Sequence, residues 1–219
     1  MLINLFLVLI LLNPLANVYS TDKQFFNIEE DVNQLAPERI NPDNIGVKVT
    51  ADKFVAIDVG SGSLLLENDS NIKQPIASIT KIMTALVILE QNPDWQKIVK
   101  LEKYDETVGA YPHLYRGEEV EFIDLWKAGL VSSDNNSIMA MVRALGFSRS
   151  EFVDLMNRKA LDLGMYNTHF ADPTGLNENN ISTALDVAKL IHAAMKRNEI
   201  KESVTQGQYN FQILNNNKN

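Results

Sequence analysis

The sequence predicts an α+β domain in which an antiparallel sheet packs with a cluster of helices. Three observations carry this: an alternating strand pair around residues 53–67, a helical stretch from Pro75 to about Arg197 broken by short polar loops, and an extended-looking segment at Gly207–Leu214. Strands near both ends with helices between them fit a sheet that draws on both ends of the chain.

Lys53–Val59 (KFVAIDV) places Val55, Ile57 and Val59 on one face, the period of a strand. Gly60–Ser63 turns the chain into Leu64–Glu67, which is a β-hairpin signal. Beyond Pro75 the residues Ile79, Ile82, Met83, Leu86 and Leu89 recur at helical spacing. Phe122–Leu130 and Ser137–Leu145 read as two more helices, the second ending at Gly146, since glycine takes the left-handed conformation that closes helices. Ser148-Arg149-Ser150-Glu151 is a capping box, and it opens a helix with Phe152, Leu155, Met156 and Leu163 on one stripe, stopped by Gly164. Ser182 is expected to cap a last helix through about Arg197. Met139, Met141 and Met156 are expected in the core.

The 219 residues suffice for one good-sized domain. A net charge of −8, with no Lys/Arg run and no Gly-rich phosphate loop, argues against a nucleic-acid partner. The chain has no cysteine, which removes disulfides, thiolate metal sites and cysteine nucleophiles. Its three histidines, His113, His169 and His192, are widely spaced and form no metal-binding pattern. No metal and no cofactor is expected.

Residues 1–20 hold an uncharged apolar run, Leu2–Leu12, followed by Asn13-Pro14 and a cleavage-compatible Ser20. They read as a secretory signal peptide or an uncleaved N-terminal anchor, and either one exports the protein. Residues 21–46, polar and interrupted by Pro37 and Pro42, read as a lead-in. Residues 47–219 form the remaining unit.

The chemistry centres on QPIASITKIMTALVILE. Ser78 and Lys81 stand at i and i+3, so they share a helix face and the amine can reach the hydroxyl. A serine hydroxyl is a weak nucleophile that needs a base beside it. Lysine serves as that base once burial or a helix N-terminus lowers its pKa. The same spacing recurs at Ser20–Lys23 and Ser70–Lys73, but only Ser78–Lys81 opens an apolar helix. Read alone, the pair also fits a helix-capping serine and a solvated lysine. Ser133-Asp134-Asn135 follows in a polar loop between two apolar helices. These residue types are also good helix caps. Together with Ser-x-x-Lys, however, they match two of the three elements of one serine acyl-transfer motif set.

PIASITKIMTALV resembles the active-site signature of the D-alanyl-D-alanine carboxypeptidase family, the low-molecular-weight penicillin-binding serine peptidases. VAIDVGSGSLLLENDSNIKQP resembles that family's opening hairpin, and YRGEEVEFIDLWKAGLVSSDNNS its approach to the Ser-x-Asn loop. MNRKALDLGMYNTHFADPTGLNENNISTALDVAKL resembles its later helix, loop and helix. The likeness runs over about residues 47–214. It implies a penicillin-binding/β-lactamase-like domain, with Ser78 as nucleophile, Lys81 as general base, Ser133 as proton relay, and Asn135 binding a substrate amide together with Lys81. The implied substrate is the terminal D-Ala-D-Ala of peptidoglycan stem peptides, with β-lactam antibiotics as acylating inhibitors, in the periplasm or cell envelope. Membrane association through the N-terminal segment, or through a missing C-terminal region, is left open.

Three departures from the family pattern stand out. Asp134 occupies a position where the family usually has Gly, and Asn136 one where it has Asp. Thr174 stands where the family often has His and receives no role. No Lys-Thr-Gly, nor a His-Thr-Gly or Lys-Ser-Gly substitute, occurs in the chain. The expectation is a domain lacking its C-terminal strands, inactive or nearly so as given. Two rivals are a class A-like β-lactamase, for which Glu178 is the carboxylate to test, and a noncatalytic peptidoglycan-binding protein.

Other groups carry less. Glu118, Glu119 and Glu121 read as a solvated helix start rather than a paired-carboxylate site. His169 and Asp172 read as loop residues rather than a base and its orienter. Tyr111, Pro112, His113 and Tyr115 are candidates for the cleft wall.

Overall fold

The computed structural model describes residues 7–11, 37, 38, 40, 47–108 and 112–215. Most of the leader and lead-in calls, the Ser20–Lys23 pair and Tyr111 lie outside the described residues.

The predicted hairpin forms as β2 (Phe54–Asp58) and β3 (Leu64–Asn68), paired antiparallel with an irregularity between Ala56 and Ile57. Its turn is closed by Asp58, whose carboxylate accepts from the Ser61 backbone N–H (2.7 Å) and hydroxyl (2.6 Å). Within the apolar run near the N-terminus, Leu7–Leu11 forms a strand, β1, that pairs parallel with β2 in the register Leu7↔Phe54 to Leu11↔Asp58. Two short ladders complete the strands: β4 (Gln74–Pro75) with β7 (Ile181–Ser182), and β5 (Ile98–Lys100) with β6 (Glu119–Glu121). Among the described residues no helix is long and apolar enough to cross a membrane.

The helices surround α1 (Thr80–Glu90). Nearly every residue of α1 is buried, Lys81, Thr80 and Thr84 included, which marks a helix enclosed on all sides. Its polar groups are satisfied from a distant loop. Thr84 Oγ1 donates to the Pro173 carbonyl (2.7 Å), and Thr80 Oγ1 accepts from Asn180 Nδ2 (3.1 Å). Around it lie α2 (Phe122–Val131), α3 (Asn135–Ala144), α4 (Arg149–Asp162), α5 (Ala184–Met195) and α6 (Asn198–Val204). Trp126 of α2 packs edge-on to Trp95 with centroids 5.4 Å apart, and its indole N–H donates to Ser203 Oγ of α6 (2.9 Å). Met139, Met141 and Met156 are buried as expected. The capping box at Ser148 forms on both sides, and Gly146 takes a left-handed φ of 89° after α3.

Two local expectations need correction. Gly207–Leu214 forms no strand: Tyr209 Oη donates to Asp124 Oδ1 (2.8 Å) and Leu214 N–H to the Glu119 carbonyl (2.8 Å), so the segment is held without a continuous ladder. The last helix is not capped by Ser182. That residue belongs to β7 and bonds Thr168 Oγ1 (2.7 Å), while Thr183 caps α5 by accepting from the Asp186 N–H (3.2 Å). The chain then breaks at an extended Arg197, about where that helix is expected to end, and begins α6, a helix the sequence did not lead one to expect.

Candidate active site

Ser78 lies in a short 3₁₀ turn, Ala77–Ile79, between β4 and α1. The turn is fixed from two sides. Ile76 N–H donates to the Asn180 carbonyl (3.0 Å), and Gly175 packs directly on Ala77 and Ser78. A Cβ at Gly175 would collide with the Ala77 carbonyl, and Gly175 has φ +90°, so glycine alone fits. Ala77 itself sits at φ +46° and Ser133 at φ +58°, a region L-residues rarely adopt. Such strain gathers at functional sites when the surroundings enforce it.

Lys81, one residue into α1, is only 3% exposed. Its Nζ donates to Ser78 Oγ (2.9 Å) and to the Thr174 carbonyl (2.8 Å). Ser133 Oγ donates to Ser78 Oγ (3.0 Å). Lys81, Ser78 and Ser133 therefore form one continuous hydrogen-bonded chain with Ser78 in the middle. Burial lowers the Lys81 pKa to about 8, against the opposing pull of the Asp172 and Asp134 carboxylates. An amine of that pKa is substantially neutral near pH 8, and a neutral amine can take a proton from a hydroxyl it touches.

Asn135, the first residue of α3, is 5% exposed, and its Oδ1 has no hydrogen-bond partner. The expected Lys81–Asn135 bond is not formed; the Thr174 carbonyl takes that donor instead. A buried amide oxygen left unpaired beside such a site offers an acceptor to an incoming N–H.

Several contributors escaped the sequence reading. Thr174 acts through its backbone oxygen, which no side-chain motif reveals. Asp172 fixes that loop by accepting from the Thr174 hydroxyl (2.7 Å), the Gly175 N–H (2.7 Å) and Asn180 Nδ2 (2.7 Å). Asp-Pro-Thr-Gly at residues 172–175 is the available signal, since short acidic side chains bond backbone two or three residues on. Asp134, 2% exposed, caps α3 through Ser137 N–H (2.7 Å) and also accepts from the His113 N–H (2.5 Å). Asn136 bonds Thr107 N–H (3.0 Å) and the Leu114 carbonyl (3.1 Å). These two side chains moor Thr107, His113 and Leu114 to the Ser133 loop.

The remaining candidates are dispersed. Ser70 donates to the Glu67 carboxylate and makes no bond to Lys73. His169 is exposed and pairs through its backbone with Ile181, away from the Asp172 carboxylate's partners. Glu119 pairs with Lys100 (3.2 Å), and Glu121 caps α2. Glu178 is exposed and bonds no described residue through its side chain. Among the described residues no cluster of His, Asp and Glu could hold a metal.

A buried helix bearing Ser-x-x-Lys, faced by a Ser-x-Asn loop within an α+β domain, defines the class of penicillin-binding DD-peptidase folds. Solved structures agree. A Streptomyces DD-transpeptidase variant superposes with a TM-score of 0.69 at 28% identity over 74% of this chain and 67% of that one. A D-alanyl-D-alanine carboxypeptidase from Mycobacterium tuberculosis gives 0.66 at 27% identity over 71% of this chain and 60% of that one. The chain belongs to the D-alanyl-D-alanine carboxypeptidase family, whose model matches residues 38–219. A D-alanyl-D-alanine endopeptidase of Haemophilus influenzae is 39% identical over 69% of this chain and 52% of that protein. A D-alanyl-D-alanine carboxypeptidase of Bacillus subtilis is 34% identical over 68% of this chain and 40% of that protein. The chain thus spans about half the length, or less, of these relatives.

Proposed function

We propose that this chain supplies the nucleophile region of an exported serine D-alanyl-D-alanine peptidase acting on peptidoglycan stem peptides. The observation that carries the reading is the chain Lys81 Nζ–Ser78 Oγ–Ser133 Oγ, at 2.9 and 3.0 Å, beside the unpaired Asn135 Oδ1. In this reading neutral Lys81 accepts the Ser78 proton as Oγ attacks the carbonyl of the penultimate D-alanine. Ser133 passes a proton to the departing amine, Asn135 accepts from a substrate amide, and water then hydrolyses the ester at Ser78.

Carboxypeptidase activity, release of the terminal D-alanine, is the first reading. Endopeptidase activity is the second, favoured by the name of the Haemophilus relative. Both pass through the same ester and differ only in the leaving amine. Turnover by the 219 residues is proposed to be slow, because no Lys-Thr-Gly is present and loss of one oxyanion donor alone costs about 10²–10³ in rate.

The test is the intact mass of the protein after incubation with a penicillin, beside Ser78→Ala. A single adduct in the parent and none in Ser78→Ala is expected. A folded parent that stays unmodified would remove Ser78 from the proposed role. Free D-alanine from a pentapeptide, against cleavage of a cross-linked dimer, then separates the two activities.

A further inference from the structure

A cleft of about 380 Å³ shares the Thr174–Asn177 loop with the site just described. Its other walls come from Glu106, Thr107 and Arg149. The acidic groups here are already matched. Glu106 holds Arg116 through two hydrogen bonds (2.9 and 2.6 Å), and the Asp172 carboxylate is occupied by Thr174, Gly175 and Asn180. Asp172 also stands in electrostatic contact with Lys81. The Glu106 charge is thus paired, and the Asp172 carboxylate is turned into hydrogen bonds of its own loop; Arg149 stands apart from both. Arg149 is exposed and makes no side-chain hydrogen bond or ion pair with any described residue. Its backbone is fixed as the first residue of α4 behind the Ser148 capping box, so its side chain projects from a rigid base. On its other side Arg149 borders a second cleft, of about 410 Å³, floored by Met139, Val142 and Phe147.

We propose that this cleft is a subsite for a carboxylate-bearing part of the peptide substrate, with Arg149 as its anchor. This rests on the reading of Ser78 as a peptidase nucleophile. A guanidinium presents a planar fork that matches a carboxylate two bonds at a time. Thr107 and Asn177 add neutral polar partners, and the neighbouring apolar floor accommodates an adjoining hydrophobic side chain. Thr174 joins the two, since it lines the cleft and its carbonyl holds Lys81. A neutral peptide gains nothing from Arg149, so the residue sets specificity and takes no part in the chemical step.

The experiment uses two synthetic peptides ending in D-alanyl-D-alanine, identical except for a glutamate or a glutamine two residues before that dipeptide. They are titrated into Ser78→Ala protein at low ionic strength while the Arg149 Nε–H resonance is followed. The glutamate peptide is expected to bind about five-fold more tightly, to shift that resonance saturably, and to lose its advantage in Ser78→Ala/Arg149→Ala and in 0.5 M salt, as an exposed ion pair does. Equal affinity for the two peptides, an advantage that survives Arg149→Ala, or an unmoved Arg149 signal overturns the proposal. Penicillin labelling of the parent reports on Ser78 separately. Labelling without carboxylate preference removes the subsite alone, and preference without labelling removes the nucleophile alone.

Discussion

At the scale of single residues, Lys81 decides when the site can work. Its pKa of about 8, against an ordinary 10.5, comes mainly from burial, so the neutral base fraction grows as pH rises through about 8. The rate of penicillin acylation is expected to climb about five-fold from pH 7 to 8 and about ten-fold by pH 9, then to level off. A stopped-flow profile flat over that range would mean another group takes the proton. The same burial has a stability cost. The folded chain binds fewer protons than the unfolded chain between pH 8 and 10.5, so stability contributed by this group rises with pH across that window and is least below 8. Replacing Lys81 by Met removes a penalty of about 3 kcal/mol at most. It leaves the Thr174 carbonyl unpaired at about 1–2 kcal/mol. Net stabilisation of about 1–2 kcal/mol at pH 7 is expected. The gap should close at about pH 9.5 and reverse by pH 10.5 in urea melts, where only the unpaired carbonyl still counts. A gap independent of pH would place the lysine's folded pKa at its ordinary value.

At the scale of elements, the loop before α3 does two jobs with one side chain. Asp134 caps the helix with Oδ1 and holds the His113 backbone with Oδ2. Asp134→Ala is expected to destabilise the fold by about 1–2 kcal/mol, a cap's usual worth. It should also free the loop beside Ser133 and slow acylation more than the loss of stability explains. Equal acylation rates at a temperature where both proteins are folded would limit Asp134 to capping. The helices were largely legible in the sequence because their signals are local: apolar residues at i, i+3 and i+4, a Ser-x-x-Glu box, a terminal glycine. The Gly207–Leu214 segment was misread because extended propensity names no partner, and here the partners are Asp124 and Glu119 on other elements. Ser182 was misread because several hydroxyl residues adjoin the helix start, and only tertiary pairing of β4 with β7 decides that Thr183 does the capping.

At the scale of the whole molecule, the sequence pattern led to the fold class through order, strands before a run of helices, although the strand expected at Gly207–Leu214 does not form. The Ser78–Lys81 pair was equally legible, since it spans less than a helical turn. What could not be read was the far half of the site. The Thr174 carbonyl that holds Lys81 lies 93 residues along the chain, and the Asn180 amide that supports Thr80 lies 100 residues along. Neither has a spacing rule, because the distance between them is set by the packing of α1 against the loop that follows α4.

That separation also orders events in time. Closing loops of this length costs conformational entropy before any contact repays it, whereas helices form within microseconds from neighbours. During refolding, far-ultraviolet ellipticity should therefore recover first, while the Lys81 amine still reacts with an acylating reagent such as acetic anhydride. Its protection should appear only in the slowest phase, when α1 meets the Ala171–Asn180 loop, so the nucleophile pair is assembled last although its two residues are the closest neighbours in the chain.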